Sequence, residues 1–203
     1  MRLELRPSVI NGGLWYPERD KPGVWSKIRR QVLEKHQHRC RFCGHRALKY
    51  MQIHHLHLKG KRKPVLIPAC VACHAVLHIG RNLGFGTIEI WKSRITQREI
   101  VRRTREGVRN RKSLRQIKAS LPISRGDLPP KSIKWANRLL EEMGEKPVAS
   151  LKRPYCVVFV NLKRWQLEEV WHRERVRQIA ARLLVRKTAA IQHQARLRGA
   201  TTP

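Results

Sequence analysis

Aspartate is nearly missing from this 203-residue chain: Asp20 and Asp127 are the only two, and all acidic residues number 14 against 45 Lys and Arg. Nuclease or polymerase centres built from several Asp carboxylates on magnesium are therefore excluded, and any metal must lean on His or Cys. Also missing is a run of about 18 apolar residues, the least a membrane-spanning helix needs, so no membrane partner is expected. The opening Met1-Arg-Leu-Glu-Leu-Arg-Pro has no apolar core and no small-residue cleavage site. We therefore expect no secretory signal and an intracellular, cytoplasmic protein. Five cysteines are too few for a disulfide scaffold, and in a reducing interior paired Cys-x2-Cys units are better read as metal ligands.

What the chain does have is positive charge. The formal net charge is +31 and the sequence pI about 11.5. That charge is spread rather than parked in a tail: residues 1–79 hold 16 basic and 4 acidic groups, 80–150 hold 17 and 7, and 151–203 hold 12 and 3. Such density repels itself unless phosphates neutralise it, so the expected partner is nucleic acid, DNA or RNA.

Four segments are expected. Residues 1–23 form an N-terminal arm and 24–87 a small metal-stapled module. Residues 88–150 form a basic helical region that is helix-turn-helix-like, and 151–203 a strand plus a long Arg-rich helix. Within the module, Trp25, Ile28 and Val32 at helical spacing predict a helix over 24–38. Strands follow near Tyr50 to Leu58 and Val65 to Ile67, joined by a basic loop, then a helix from Cys73 to Ile79. Further on, Thr96-x-x-Glu99 is a helix-starting pattern for a helix running to about Asn110, whose Arg-rich face is expected to meet solvent or phosphate. Helices near 113–121 and 132–143, a strand over Tyr155 to Val160 and a helix from about 163 to 198 complete the expectation.

Eight of the ten His and four of the five Cys lie between His36 and His78. Cys40-x2-Cys43 and Cys70-x2-Cys73 each supply two thiolates from a tight turn, enough together for a closed tetrahedral structural zinc. Gly44 suits the backbone of such a knuckle. Inside that frame stand His54, His55, His74 and His78; on a helix His74 and His78 share one face. In strict strand alternation His54 and His55 point to opposite faces, so a shared role needs a twist or a strand end.

Taken together, Cys40-x2-Cys43, Ile53-His54-His55, Cys70-x2-Cys73-His74 and the approach helix with Arg29 and Val32-Leu33 resemble the HNH endonuclease family over about residues 24–80. The resemblance implies an α+β chain. A zinc-stapled ββα-metal module would be followed by a mainly helical basic region with a short strand and a long C-terminal helix. It implies structural Zn2+ on the four cysteines and a catalytic divalent ion, Mg2+ or another, on His54, His74 and His78. His55 would be the general base of phosphodiester hydrolysis that nicks one DNA strand per site. Lys59, Lys61, Arg62 and Lys63 in the loop, with Arg29 and Arg30 on the approach helix, would hold the backbone. A prokaryotic or phage-like setting goes with it.

The stretch that usually reads Asn-Leu-x-Pro-x-Cys in that family reads Val65-Leu66-Ile67-Pro68-Ala69-Cys70 here, with Val65 at the Asn. A second function is therefore carried forward: a non-catalytic nucleic-acid-binding subunit of a ribonucleoprotein or nucleic-acid-guided complex, using a degenerate HNH zinc module. A third is a regulator binding through the helices near 113–143.

Overall fold

The computed structural model describes residues 3–10, 23–57, 63–163 and 167. The chain divides into two compact units, Met1–Glu168 and Glu169–Pro203. The second unit, and with it nearly all of the expected C-terminal helix, lies outside the described residues. Among the described residues the fold is α+β, with six helices and small antiparallel sheets.

The helix expected after the Lys21-Pro22-Gly23 turn is α1 (Val24–Lys35), which starts at Gly23 in a left-handed conformation. Its apolar stripe, Trp25, Val32 and the buried Leu33, packs on the main core. The chain then reverses through Gln37 and His38, both at positive φ, into the first cysteine pair. A hairpin follows: β2 (Gln52–Leu56) pairs antiparallel with β3 (Val65–Ala69), setting His54 opposite Ile67 and His55 opposite Leu66.

Next comes α2 (Val71–Leu77), earlier than the expected Cys73 start. The reason is a cap: the Cys70 sulfur accepts the Cys73 N–H at 3.5 Å, so the cysteine pair straddles the helix start. His78 leaves helical geometry (φ −129, ψ 57) and a separate α3 (Ile79–Gly84) begins behind it.

The basic region is built on a three-stranded sheet. In it β4 (Ile88–Ser93) is central, between β5 (Ile123–Ser124) and β7 (Tyr155–Phe159), both antiparallel to it. The unbroken apolar run of β7 is explained by burial on both faces. Val157 and Phe159 join the main core, while Cys156 and Val158 join a second cluster with Ile100 and Leu121. Each such side chain, fully removed from water, contributes about 1.5–3 kcal/mol.

Across this sheet lies α4 (Gln97–Arg109), started by the Thr96 hydroxyl accepting from Glu99 N–H. The Glu99 carboxylate turns to Arg102 and Arg103 instead of back to the cap. The Gln97 amide acts as one more strand residue: Nε2 donates to the Val157 carbonyl at 2.9 Å, and Val157 N–H donates to Oε1 at 2.6 Å. Against α4 packs α5 (Leu114–Ala119), so closely that a Cβ on Gly107 would lie 2.5 Å from Ile117 Cγ1.

The segment expected to resemble a helix-turn-helix has another arrangement. Between α5 and α6 (Lys134–Met143) comes β5 and a long turn-rich connection, and the two helices pack on different partners. Nor is the N-terminal arm separate. It contributes β1 (Ser8–Ile10), which pairs antiparallel with β6 (Val148–Ser150), burying Leu5 and Val9.

Candidate metal centres

The first cysteine pair sits in a tight knuckle. Gly44 N–H donates to the Cys40 carbonyl at 2.9 Å, Cys40 N–H donates to the His45 carbonyl at 2.8 Å, and Arg39 bridges to Arg46. Gly44 has φ +78, a conformation that costs a glycine nothing. The second pair straddles the start of α2. Together the ligand atoms of Cys40, Cys43, Cys70 and Cys73 lie within 4.8 Å of one another, and Cys43 and Cys70 are 3.6 Å apart, sulfur to sulfur. Four sulfurs around one tetrahedral zinc at about 2.3 Å would stand about 3.8 Å apart. All four thiols are free, so the cluster is a ligand set and not a disulfide pair, and a structural zinc fits it.

Charge within the tetrad is shared unequally. Burial pushes the Cys70 thiol up, but hydrogen bonds from Cys40, Cys43 and Cys73 outweigh it and hold the group well below its ordinary value. Burial, and then Cys40, Cys43 and Cys70, push Cys73 well above its ordinary value. Sulfurs that compete for protons in this way are relieved when a cation replaces the protons.

The second centre is made of imidazoles. His54 on β2, His74 on α2 and His78 at its end have ligand atoms within 4.8 Å of one another. The rings of His74 and His78 are 4.3 Å apart, and His54 stands nearly perpendicular to both, at 6.0 and 5.8 Å. Phe42 meets the His54 ring edge-on at 5.8 Å, and His54 Nδ1 is buried with no hydrogen-bond partner among the described residues.

Burial, reinforced by the neighbouring His charges, pushes His54 down to about 3. Burial with the Arg81 and His55 charges pushes His78 down to about 4. His74 is held well below its ordinary value by burial and then by His78 and His54. All three are therefore neutral at pH 7, with lone pairs to give. A divalent ion fits this buried set, and the set contains no carboxylate. Nitrogen donors of this kind suit zinc, nickel or cobalt, whereas magnesium asks for oxygen, so the donor chemistry speaks against the magnesium expected above.

His55 lies beside this cluster and is not one of its members. Its half-buried ring is nearly parallel to Trp25 of α1, 7° between planes and 6.2 Å between centroids. Its charge nevertheless reaches both His54 and His78. Strand alternation thus separates the two adjacent histidines, His54 toward α2 and His55 toward α1.

The expected phosphate contacts divide. Arg29 donates from Nη2 to the Met51 carbonyl at 2.7 Å, tying α1 to the start of β2. Arg30 and Lys63 are exposed, and Lys59, Lys61 and Arg62 lie outside the described residues. Beside the first knuckle a groove of about 380 Å³ is lined by His36, which flanks the knuckle in the sequence as a candidate phosphate or solvent contact, and by Lys35, Arg39 and Arg41, which the sequence reading did not single out. Val65 is 41% exposed at the end of the hairpin, opposite Leu56. Asn82 is committed to the His78 carbonyl and to Thr87. Cys156 is buried, its thiol pushed up to about 12 by that burial, which makes it inert.

One buried residue escaped the sequence reading: Arg105, taken with the rest of the Arg-rich helix as solvent or phosphate facing, is 6% exposed. The signal was present, since Val101, Arg105 and Val108 recur at i, i+4 and i+7 on the apolar face of α4.

Comparison with known proteins adds no assignment: no family model matches the chain, and no curated protein matches it. Among the described residues no helix is long and apolar enough to cross a membrane.

Proposed function

We propose that the chain is a metal-dependent nuclease of the HNH type, a ββα-metal unit in which β2, β3 and α2 present the site. It would cut one strand of DNA per site. The observation that carries this reading is the convergence of three neutral imidazoles, from a hairpin and from the helix that follows it, beside a four-cysteine cluster.

A phosphodiester resists hydrolysis because its charge repels the nucleophile and its alkoxide leaves poorly. A divalent ion on His54, His74 and His78 supplies positive charge for both, and the donor set makes that ion zinc, nickel, cobalt or a similar transition metal. Next to it, His55 takes the proton of the attacking water, as a neutral imidazole can near pH 7. Trp25, nearly parallel to the His55 ring, sets the plane of that ring beside the trio. Arg30, Lys63 and the groove of Lys35, Arg39 and Arg41 bind the flanking backbone, contributing affinity without sequence reading.

The test is incubation of supercoiled plasmid with the zinc-loaded protein and added nickel, cobalt, manganese or magnesium, wild type against His55→Ala. The expected result is metal-dependent nicking, weakest with magnesium and lost in the variant. Binding without nicking in both proteins would favour the second reading, a non-catalytic nucleic-acid-binding subunit of a ribonucleoprotein or guided complex. Val65, exposed where the resembled family has its Asn, is the observation that favours it.

A further inference from the structure

The N-terminal stretch does more than pair with β6. Ahead of β1, Glu4 to Pro7 meet the start of α4 and the link between β6 and β7, and the three segments line an open cleft of about 310 Å³. Three arginines face one carboxylate in that lining: Arg6, Arg98 and Arg153 against Glu4. Glu4 is engaged by Arg6 through both oxygens. Nη2 donates to Oε2 and Nε stands beside Oε1, each at 2.9 Å. That hydrogen bond, and then the charges of Arg6, Arg153 and Arg98, hold the carboxyl below its ordinary value against a slight upward push from burial. Arg98 is fixed by Nη2 donating to the Leu3 carbonyl at 2.8 Å, and Arg153 has no carboxylate of its own among the described residues. With Glu4 and Arg6 cancelling each other, two cations are left over.

The backbone adds to them. Thr96 Oγ1 takes the Glu99 N–H and the Thr96 carbonyl takes that of Ile100, which leaves the N–H groups of Gln97 and Arg98 without acceptors among the described residues. A helix of 13 residues also directs partial positive charge to this end. The rest of the lining is largely apolar, with Leu5, Ile95, Leu151 and Pro154 in it. Inorganic phosphate is far smaller than such a cleft, whereas about 300 Å³ is the lower end of pockets that take small organic ligands. Two spare cations call for a double negative charge. A phosphate monoester carries one near pH 7, and a backbone phosphodiester does not. The apolar lining suits a flat base better than a bare sugar.

We infer that this cleft binds a nucleoside monophosphate group, with its phosphate monoester at Arg98, Arg153 and the start of α4 and its base against the apolar lining. Two sources share this chemistry: a free mononucleotide and the phosphorylated end of a nucleic-acid strand. Glu4 competes with the phosphate for the same arginines, so the site binds below its full strength while that carboxylate is present. The cleft shares no residue with the cysteine cluster or the imidazole trio. A protein that never cleaves nucleic acid would leave the inference standing.

The test is calorimetry on the full zinc-loaded chain with deoxyadenosine 5′-monophosphate as the probe, in about 0.15 M salt so that scattered surface charge is screened. Deoxyadenosine and inorganic phosphate are each expected to bind at least about tenfold more weakly, since each lacks one half of the contacts. Arg153→Gln, at an exposed position, should weaken the nucleotide at least about fivefold. Arg115→Gln on the exposed face of α5 removes the same charge elsewhere and should stay within about twofold of wild type. Glu4→Gln should tighten binding at least about threefold, a sign that no loss of structure produces. A 5′-phosphorylated dinucleotide then separates the sources: binding as tight as the mononucleotide points to a strand end, and binding at least about tenfold weaker points to the free nucleotide. Either result supports the shared chemistry. Absence of nucleotide binding overturns the inference, as does equal weakening by Arg153→Gln and Arg115→Gln. So does inorganic phosphate or deoxyadenosine binding as tightly as the nucleotide, or Glu4→Gln that fails to tighten it.

Discussion

Consecutive residues of α2 serve opposite chemistries. Cys73 belongs to a tetrad of thiols that is almost closed to water, and His74 to a trio of imidazoles. The tetrad can satisfy every position of a tetrahedral ion and leaves none for a substrate, so it staples. The trio leaves at least one position open. Its side chains are held neutral by burial, so they keep their lone pairs at pH 7 without a counter-charge. The contrast teaches how one short helix hosts both: crowded thiolates need a cation between them, whereas imidazoles stay neutral wherever burial disfavours their charge.

The sharpest way to break the comparison is Cys70→Ser. This one change removes both a ligand and the sulfur that caps α2. We expect loss of bound zinc and a destabilisation of several kcal/mol, since metal affinity in such modules is folding energy. Zinc content and the thermal transition measure it, and an undisturbed transition in zinc-free protein would show that the apolar core alone holds the region.

Acid is next. His54 and His78 have folded pKa values of about 3 and about 4 against 6.5 in the unfolded chain. Below pH 6.5 the unfolded chain takes up protons that the folded one refuses. Stability is therefore full above that value and is lost as the pH falls toward 4. With the second centre free of metal, the loss between pH 7 and 4.5 should be about 2 kcal/mol or more, read from urea midpoints. His54→Ala should flatten that slope; an unchanged slope would mean that the trio is not what the acid attacks.

A third probe is the effect of His54→Ala on the second ion. Cobalt or nickel affinity, followed by calorimetry on zinc-loaded protein, should fall about 100-fold while the tetrad keeps its zinc. Equal loss from both centres would erase the distinction between them. The mildest probe is Gly107→Ala, whose new Cβ would lie 2.5 Å from Ile117 Cγ1 and push α4 away from α5. The expected cost is about 1–3 kcal/mol in chemical denaturation, with no change in cobalt binding at the imidazoles.

Much of this arrangement could be read from the residues alone. The four cysteines announce themselves by spacing, as does the α4 start at Thr96, because each depends on neighbours along the chain. What stayed hidden depends on distant partners. The pairing of Ser8–Ile10 with Val148–Ser150 has no local signature, which is why the N-terminal stretch reads as an arm. The start of α2 was misplaced because Cys70 acts as ligand and cap together. Arg105 was lost in a crowd of similar residues, although its place in the stripe of Val101 and Val108 marks it as buried. The separation of His54 from His55 was legible as strand alternation; what the sequence could not supply was Trp25 as the surface that receives His55.

The stretch from Cys70 to His78 acts as a ruler with two scales. Each residue of an α-helix turns the next by about 100°. One residue inserted between Cys73 and His74 would leave the sulfurs in place and swing His74 and His78 away from His54. This helix therefore takes no added length: a single inserted residue disconnects the two centres while leaving every side chain present.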